Sequence, residues 1–188
     1  MNILKPKAIM ILALAIIVSA CASSRSLDDS LSDLGSNAEI KGVLFADRSR
    51  DYSDVDITLF EGRLLLTGSM RSEDGRKKLI ENAWKADGVN QVIDEIFVGD
   101  KTSIGQGFED ARIDQVLRAK LITDGDVKSG RFKITVSQGV VYLLGEARRQ
   151  SELDEALQHA RSIGGVVKVV SHVKLAKPLL GSVEPSEI

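Results

Sequence analysis

Few residues of this 188-residue chain are of the types that carry out chemistry: it has one cysteine, Cys21, and two histidines, His159 and His172. An enzyme needs a nucleophile beside a base, a pair of carboxylates in a pocket, or a cluster of metal ligands. No such set is recognisable in the sequence, and the charged residues occur mostly as mixed-sign segments typical of solvated helix faces. We therefore expect no enzyme, no metal site and no cofactor, and we interpret both histidines as surface residues.

Cys21 follows a segment with the layout of a secretory signal, because two lysines precede an apolar run at 8–18 and small residues precede the cysteine. Residues 18–21 resemble the lipobox of bacterial lipoproteins. The resemblance implies that the sulfur of Cys21 receives diacylglycerol, that residues 1–20 are removed and that the new N-terminus is acylated, for example with palmitate. A permanent transmembrane helix is the alternative, but the run is shorter than the roughly 20 apolar residues that a span needs.

The expected location is the outer membrane, facing the periplasm. Several acyl chains on one cysteine anchor a protein stably, whereas a single chain binds reversibly. The next residue is Ala22, not the aspartate that retains enteric lipoproteins in the inner membrane. Loss of the leader removes two lysines and no acid, so the formal net charge falls from -2 to -4. This mild acidity argues against a nucleic-acid partner.

Residues 21–36 are predicted to be a lipidated tether, since Ser, Asp and Gly predominate there. Leu27, Leu31 and Leu34 have helical spacing, so a short amphipathic helix is the alternative. At the other end, residues 178–188 are predicted to be a flexible tail.

Between these ends the chain contains the same pattern twice. Each copy has an apolar stripe of helical spacing, then two alternating strands around a turn glycine, then a second helix and a third strand. Aligned segments are 38–46 with 111–119, 57–68 with 134–145, 72–87 with 151–163, and 88–96 with 165–173.

Each copy is therefore predicted to be an α+β domain that runs helix-strand-strand-helix-strand, with a three-stranded sheet covered by two helices on one face. The turn glycines are Gly62 and Gly139, where a positive φ costs no steric strain. Ser151 is predicted to cap its helix together with Asp154. Trp84 lies on an apolar stripe and is expected in the core.

The hairpin, its turn glycine, a strand-ending glycine and the Gly-Val opening of the last strand together resemble the BON domain. The predicted domains are 37–98 and 109–177. Between them, 99–108 is predicted to be a linker with three glycines and no proline, so a fixed arrangement of the two domains would need an interface that the sequence does not reveal.

A lipobox followed by two such domains resembles the dual-BON outer-membrane lipoproteins. This resemblance implies support of envelope integrity and contact between the second domain and anionic phospholipid. In a lipid-binding member of that group an aromatic side chain of the second domain's first helix enters the membrane. Here the matching position is Arg112.

The two predicted domains also differ in charge. Residues 37–98 contain nine Lys and Arg against twelve Asp and Glu, whereas residues 109–177 contain twelve against nine. A basic second domain favours an anionic membrane surface, although random drift is an alternative explanation. The candidate lipid-binding residues are Arg112, Arg118, Lys120, Lys128 and Arg131.

Two functions of different classes remain. The first is a non-enzymatic lipoprotein whose partners are the membrane it is anchored to and the anionic phospholipid of that membrane. The second is a periplasmic protein-interaction scaffold for envelope assembly or stress response. Exposed apolar anchors would favour the scaffold, and Ile104 and Phe108 in the linker or Leu179 and Leu180 in the tail are candidates.

Overall fold

The computed structural model describes residues 52–100 and 103–177, together with Gly42 and Leu44, which are helical. These residues belong to one compact unit, Ser36–Ile188. The predicted leader, Cys21, the tether and the tail lie outside the described residues, as does nearly all of the predicted first helix of the first domain. No helix in the described part of the chain combines the length and the hydropathy that a membrane span requires.

The described elements follow the predicted order. In the first domain they are β1 (Val55–Phe60), β2 (Arg63–Met70), α1 (Glu73–Ala83) and β3 (Gln91–Val98). In the second domain they are α2 (Ile104–Thr123), a 3-10 turn (Ser129–Arg131), β4 (Phe132–Ser137), β5 (Val140–Ala147), α3 (Gln150–Arg161) and β6 (Lys168–Leu175).

Each domain has a three-stranded sheet whose central strand is the second strand of the hairpin. β2 pairs antiparallel with β1 and parallel with β3, and β5 pairs in the same way with β4 and β6. The predicted α+β class with two three-stranded sheets is therefore confirmed.

The two hairpins turn at the predicted glycines. Glu61 and Gly62 have φ angles of 50° and 74°, and Gln138 and Gly139 have 52° and 75°. Two successive positive φ angles are the signature of the type I′ turn, whose twist matches that of the flanking strands. The strong conformational demand falls on the second position, which is glycine in both copies.

The strand-ending glycines, Gly68 and Gly145, have a different role. A Cβ atom on Gly68 would lie 1.9 Å from the carbonyl oxygen of Asp54, and one on Gly145 would lie 2.1 Å from that of Arg131. These distances are far shorter than any van der Waals contact, so any other residue would force the first strand of the hairpin away from the second.

Each sheet packs one face against helices of its own domain. In the first domain Leu64 and Leu66 of β2 pack with Leu79 and Ala83 of α1, and Leu44 joins them. In the second domain Val141 and Leu143 of β5 pack among buried residues of both helices: Ile113, Leu117, Leu121, Ala156 and Ala160. Alternate strand residues thus reach the helices, as period-2 patterning requires.

The other faces of the two sheets pack against each other. Phe60, Leu65 and Ile93 of the first domain form one apolar cluster with Tyr142 and Leu144 of the second. All eight residues of β2 are buried because one face of the strand meets α1 and the other meets the second domain. The two domains therefore share an interface, and the molecule is layered helix, sheet, sheet, helix.

The segment that we predicted to be a linker is partly helical. α2 begins at Ile104, and the hydroxyl of Ser103 accepts a hydrogen bond from the backbone N–H of Gln106 at 3.2 Å. This N-cap offsets part of the helix cost of Gly105 and Gly107, which is about 1 kcal/mol each. The predicted linker 99–108 is therefore helical from Ile104 onward, which the prediction missed because the capping hydroxyl of Ser103 was not recognised in the sequence.

Two further side chains do not lie where the pattern predicted. Trp84 is 54% exposed, since α1 ends at Ala83 and the buried stripe is Gly75, Leu79 and Ala83. Ser151 lies inside α3 and does not cap it. Instead the buried carboxylate of Glu152 accepts hydrogen bonds from the backbone N–H groups of Arg148 and Lys128, at 2.8 and 2.9 Å. Glu152 therefore ties the start of α3 to the loop before β4.

Candidate functional site

Helix α2 is apolar on two opposite faces. Its inner face is the fully buried row Ile113, Leu117 and Leu121. On the other side a second row with helical spacing is exposed, and we call it the α2 outer face: Ile104, Phe108, Ala111, Gln115, Ala119 and Ile122. A surface helix normally has one apolar face and one charged face, so this second row indicates a contact surface.

The exposure of the α2 outer face is large. Ile104 is 84% exposed, Phe108 76% and Ile122 69%. Scattered exposed apolar residues are ordinary, whereas several on one face of a helix mark a protein or membrane contact. Phe108 supplies an exposed aromatic ring one helical turn before Arg112. Arg112 is the position that matches the membrane-inserting aromatic residue of the lipid-binding family member.

Arg112 and Arg118 flank this face but are already paired. Arg112 Nη2 lies 2.6 Å from Glu109 Oε1 and 2.5 Å from the carbonyl oxygen of Gly164. Arg118 donates to both carboxylate oxygens of Asp114 and, at 2.9 Å, to the carbonyl oxygen of Ile134. The hydrogen bond from Arg112 lowers the pKa of Glu109, so that pair is fully ionised at neutral pH. Both arginines lie off the buried stripe Ile113, Leu117 and Leu121.

The other three candidate lipid-binding residues do not share one face with these arginines. Lys120 is half-buried on α2 next to the buried row, and Lys128 is exposed in the loop after the helix. Neither ammonium group has an ion-pair partner within the described ranges. Arg131 is half-buried, and its Nη1 is buried without a hydrogen-bond partner among these residues. Three of the five cations therefore lie on α2, and the other two lie beyond its C-terminal end.

A buried carboxylate positions the start of α2. Asp110, 7% exposed, accepts hydrogen bonds from the backbone N–H groups of Gln138 and Gly139, at 2.7 and 2.8 Å, and from the side chain of Gln106 at 2.8 Å. The β4–β5 turn is thereby fixed against the helix. Sequence reasoning missed Asp110, which has the appearance of an ordinary helix-surface acid.

Polar contacts cross the interface between the two domains. Arg63, 6% exposed, donates to the carbonyl oxygens of His172 and Gly145, at 2.5 and 3.4 Å. Its Nε also donates to Gln91 of its own domain at 3.0 Å, and burial lowers the pKa of the guanidinium. The hydroxyls of Thr58 and Thr135 are 2.8 Å apart. These contacts fix the orientation of the second domain.

Neither histidine is the solvated surface residue that we expected. The side chain of each is 22% exposed. His172 Nε2 lies 2.9 Å from Glu95 Oε1 of the first domain, and His159 Nε2 lies 2.5 Å from Asp124 Oδ2. The prediction was wrong because each imidazole packs beside a carboxylate of another element, a contact that the local sequence pattern does not reveal.

An open groove of about 490 Å³ lies beside α2, between β1 and β4. Asp54, Asp56, Asp110 and Asp114 are among its lining residues, which include no lysine or arginine. Ala111 and Gln115 of the α2 outer face also line this groove. Because such an acidic lining repels anions, an anionic ligand would meet the rest of that face, at Ile104, Phe108 and Ile122.

Comparison with known proteins identifies the repeated unit: the BON domain matches residues 32–100 and 109–177. An uncharacterised protein of Anaplasma centrale is 34% identical over 66% of this chain and 83% of its own length. The outer membrane lipoprotein DolP of Haemophilus influenzae is 32% identical over 64% of this chain, and the match spans 62% of DolP.

A third relative, the osmotically inducible protein Y of Escherichia coli, is 25% identical over 81% of this chain and 77% of its own length. The two family matches cover most of the chain and fall on the two sheets described above. This chain belongs to the BON domain family.

Proposed function

We propose that this chain is a non-enzymatic lipoprotein of the bacterial outer membrane that supports envelope integrity, with its second BON domain in contact with anionic phospholipid through the α2 outer face. The observation that carries the proposal is the exposed row with Ile104, Phe108 and Ile122 on a helix whose other apolar face is already buried. Its similarity to DolP, an outer membrane lipoprotein, supports the location.

Lipidation of Cys21 would supply most of the membrane affinity. Acyl chains contribute about 0.8 kcal/mol for each buried methylene, and the segment between Cys21 and the first domain would keep α2 at high effective concentration near the bilayer. Mass spectrometry of the N-terminus tests this step. We expect an acylated Cys21 as the first residue, and an unmodified thiol would contradict it.

Apolar contact contributes more in this proposal than charge does. Burial of an exposed isoleucine or phenylalanine is worth about 1.5–3 kcal/mol, and three such residues lie on the α2 outer face. Arg112 and Arg118 are neutralised by Glu109 and Asp114, but exposed ion pairs are worth only about 0–1 kcal/mol. Lipid phosphates can therefore replace the carboxylates. Basic residues near an anionic leaflet then add about 1 kcal/mol each.

The experiment is sedimentation of the chain from residue 22, which lacks the anchor, with phosphatidylcholine vesicles with or without phosphatidylglycerol. We expect tighter binding with phosphatidylglycerol than without it, since each basic residue near an anionic leaflet adds about 1 kcal/mol. The double variant Phe108→Ser, Ile122→Ser should reduce the bound fraction about tenfold or more, since two inserted side chains are lost. Trp84→Ser removes a similarly exposed aromatic from the first domain and should leave binding unchanged.

The interpretation of arginine variants follows from their contacts. Arg112 and Arg118 also bond to backbone carbonyls of the second domain, so glutamate at these positions would disturb the fold as well as the charge. Lys128→Gln is the cleaner test of charge because its side chain has no described partner. We expect it to weaken vesicle binding severalfold, with a smaller effect at high salt.

The alternative is the periplasmic scaffold, which the same exposed row favours, because an apolar helix face also fits a helix of another protein. Equal vesicle binding by the wild type and the double serine variant would reject the phospholipid proposal. The scaffold would then be the better explanation of Ile104 and Phe108.

A further inference from the structure

Helices α2 and α3 meet at a cluster of three side chains that can each offer one metal-ligand atom. Asp124 is the C-cap residue of α2, and Glu155 and His159 lie one turn apart on α3. One carboxylate oxygen of each acid and a ring nitrogen of the histidine all lie within 4.8 Å of one another. A histidine and a glutamate at positions i and i+4 project from the same side of a helix.

We propose that Asp124, Glu155 and His159 form a binding site for a divalent first-row transition metal ion, with Zn²⁺ as the best match. One imidazole and two carboxylates are ligands that Zn²⁺ accepts in a tetrahedral site, and a water molecule would complete the set. Two ionised carboxylates and a neutral imidazole balance the charge of the ion.

The observed spacing needs only small side-chain movements to hold the ion. His159 Nε2 lies 2.5 Å from Asp124 Oδ2 and 3.7 Å from Glu155 Oε1. Ligand bonds of about 2.0–2.2 Å in a tetrahedron place ligand atoms roughly 3.3 Å apart. To bind the ion, the His159–Asp124 distance must therefore lengthen by less than 1 Å, and the His159–Glu155 distance must shorten by a smaller amount. The ion takes the place of the proton between His159 and Asp124.

The surroundings of the cluster favour a cation. The carboxylate of Asp124 is held in position by its other oxygen, Oδ1, which accepts hydrogen bonds from the backbone N–H groups of Asp126 and Val127, at 2.8 and 3.2 Å. Such second contacts fix the direction of a ligand. Within residues 52–100 and 103–177, neither Asp124 nor Glu155 pairs with a lysine or arginine.

The second histidine provides an internal comparison. His172 has the same side-chain exposure as His159 and the same kind of partner, the single carboxylate of Glu95 at 2.9 Å. Among the residues that the structure describes, a second carboxylate lies within reach of His159 but not of His172. An ion bound there would join the end of α2 to the last turn of α3, and this assignment is independent of the membrane proposal.

The test is isothermal titration of the full chain, with Cys21→Ser to exclude the thiol, purified in detergent, freed of metal and titrated with ZnCl₂ at pH 7.5. We expect one Zn²⁺ per chain, with affinity reduced tenfold or more by His159→Gln and unchanged by His172→Gln. Because ligands that bind only the native state stabilise it, excess Zn²⁺ should raise the melting temperature of the wild type by several degrees but not that of His159→Gln.

Glu155→Gln is a second test in case the histidine variant does not fold. Glu155 is 41% exposed, and its substitution leaves the Asp124–His159 contact in place. We expect a tenfold or greater loss of affinity with an unchanged circular dichroism spectrum. The assignment is overturned if the wild type takes up no Zn²⁺, if uptake persists in His159→Gln and Glu155→Gln, or if His172→Gln abolishes it equally.

Discussion

Replacement of Arg63 by methionine should lower the free energy of unfolding by about 2–4 kcal/mol and should separate the unfolding of the two domains. The guanidinium reaches the backbone carbonyls of His172 and Gly145 from the first domain. Methionine fills a similar volume but cannot donate a hydrogen bond to either carbonyl. The loss falls on the interface and not on either core, because Arg63 belongs to neither apolar cluster beneath the helices.

This effect can be measured by urea unfolding of the chain from residue 22. Trp84 fluorescence follows the first domain, and backbone circular dichroism follows both domains. The wild type should show coincident transitions and the variant two separate ones. The matched control is Arg76→Met. Arg76 pairs with Asp94 and Glu73 within the first domain and is half-exposed, so its loss should cost about 1 kcal/mol or less. A similar small effect at Arg63 would show that the interface does not depend on it.

Replacement of Asp110 by alanine should also be costly, by about 2–4 kcal/mol, because it leaves two buried backbone N–H groups of the β4–β5 turn without an acceptor. The beginning of α2 would then lose its attachment to the turn. Hydrogen exchange at Gln138 and Gly139 should accelerate more than exchange in β6, since the damage is local.

Two further variants calibrate this prediction. Asp110→Asn keeps one acceptor oxygen and should show about half of the destabilisation. Asp154→Ala removes an exposed acid of α3 whose side chain accepts one hydrogen bond within the described part of the chain, from Gln150, and should change stability by less than about 0.5 kcal/mol. A loss at Asp110→Ala no greater than at Asp154→Ala would refute the proposed role of the buried carboxylate.

The elements of the fold could be predicted from the sequence because they depend on local patterns. Alternation at Ile57, Leu59 and Leu64 specifies strands with one buried face. Glycine at the second turn position specifies the hairpin, since few other residues accept that φ. Both patterns occur twice, which allowed each copy to support the interpretation of the other.

The interface between the domains could not be predicted with the same reasoning. Its signal was the unbroken apolar run Leu64-Leu65-Leu66, which is typical of a strand buried on both faces. We interpreted only the alternation, and so assigned one buried face. Arg63 was a second signal, because the aligned residue of the other copy is Val140. A charged residue in one copy at a position that is apolar in the other copy indicates a role that the two copies do not share.

The candidate surface was only partly predictable. The first helix of the second domain was the expected contact element, but its two arginines are paired with neighbouring carboxylates, which the sequence analysis did not consider. Ile104 and Phe108 were predicted to lie in a linker, whose irregular backbone does not place side chains on a common face. Their common face depends on the helix that Ser103 caps, because side chains four residues apart lie on the same side of a helix, whereas an irregular linker sets no such relation.

The central claim is that the α2 outer face enters an anionic membrane, and the most direct measurement is the depth of Phe108. The chain from residue 22 has no cysteine, so Phe108→Cys and Trp84→Cys each accept one nitroxide label. With phosphatidylglycerol vesicles, electron paramagnetic resonance should show the label at 108 losing contact with a water-soluble nickel complex and gaining contact with oxygen, which concentrates in lipid. The label at 84 should remain accessible to nickel. If the label at 108 also stays in water while the chain is bound, the α2 outer face does not insert and the account is contradicted.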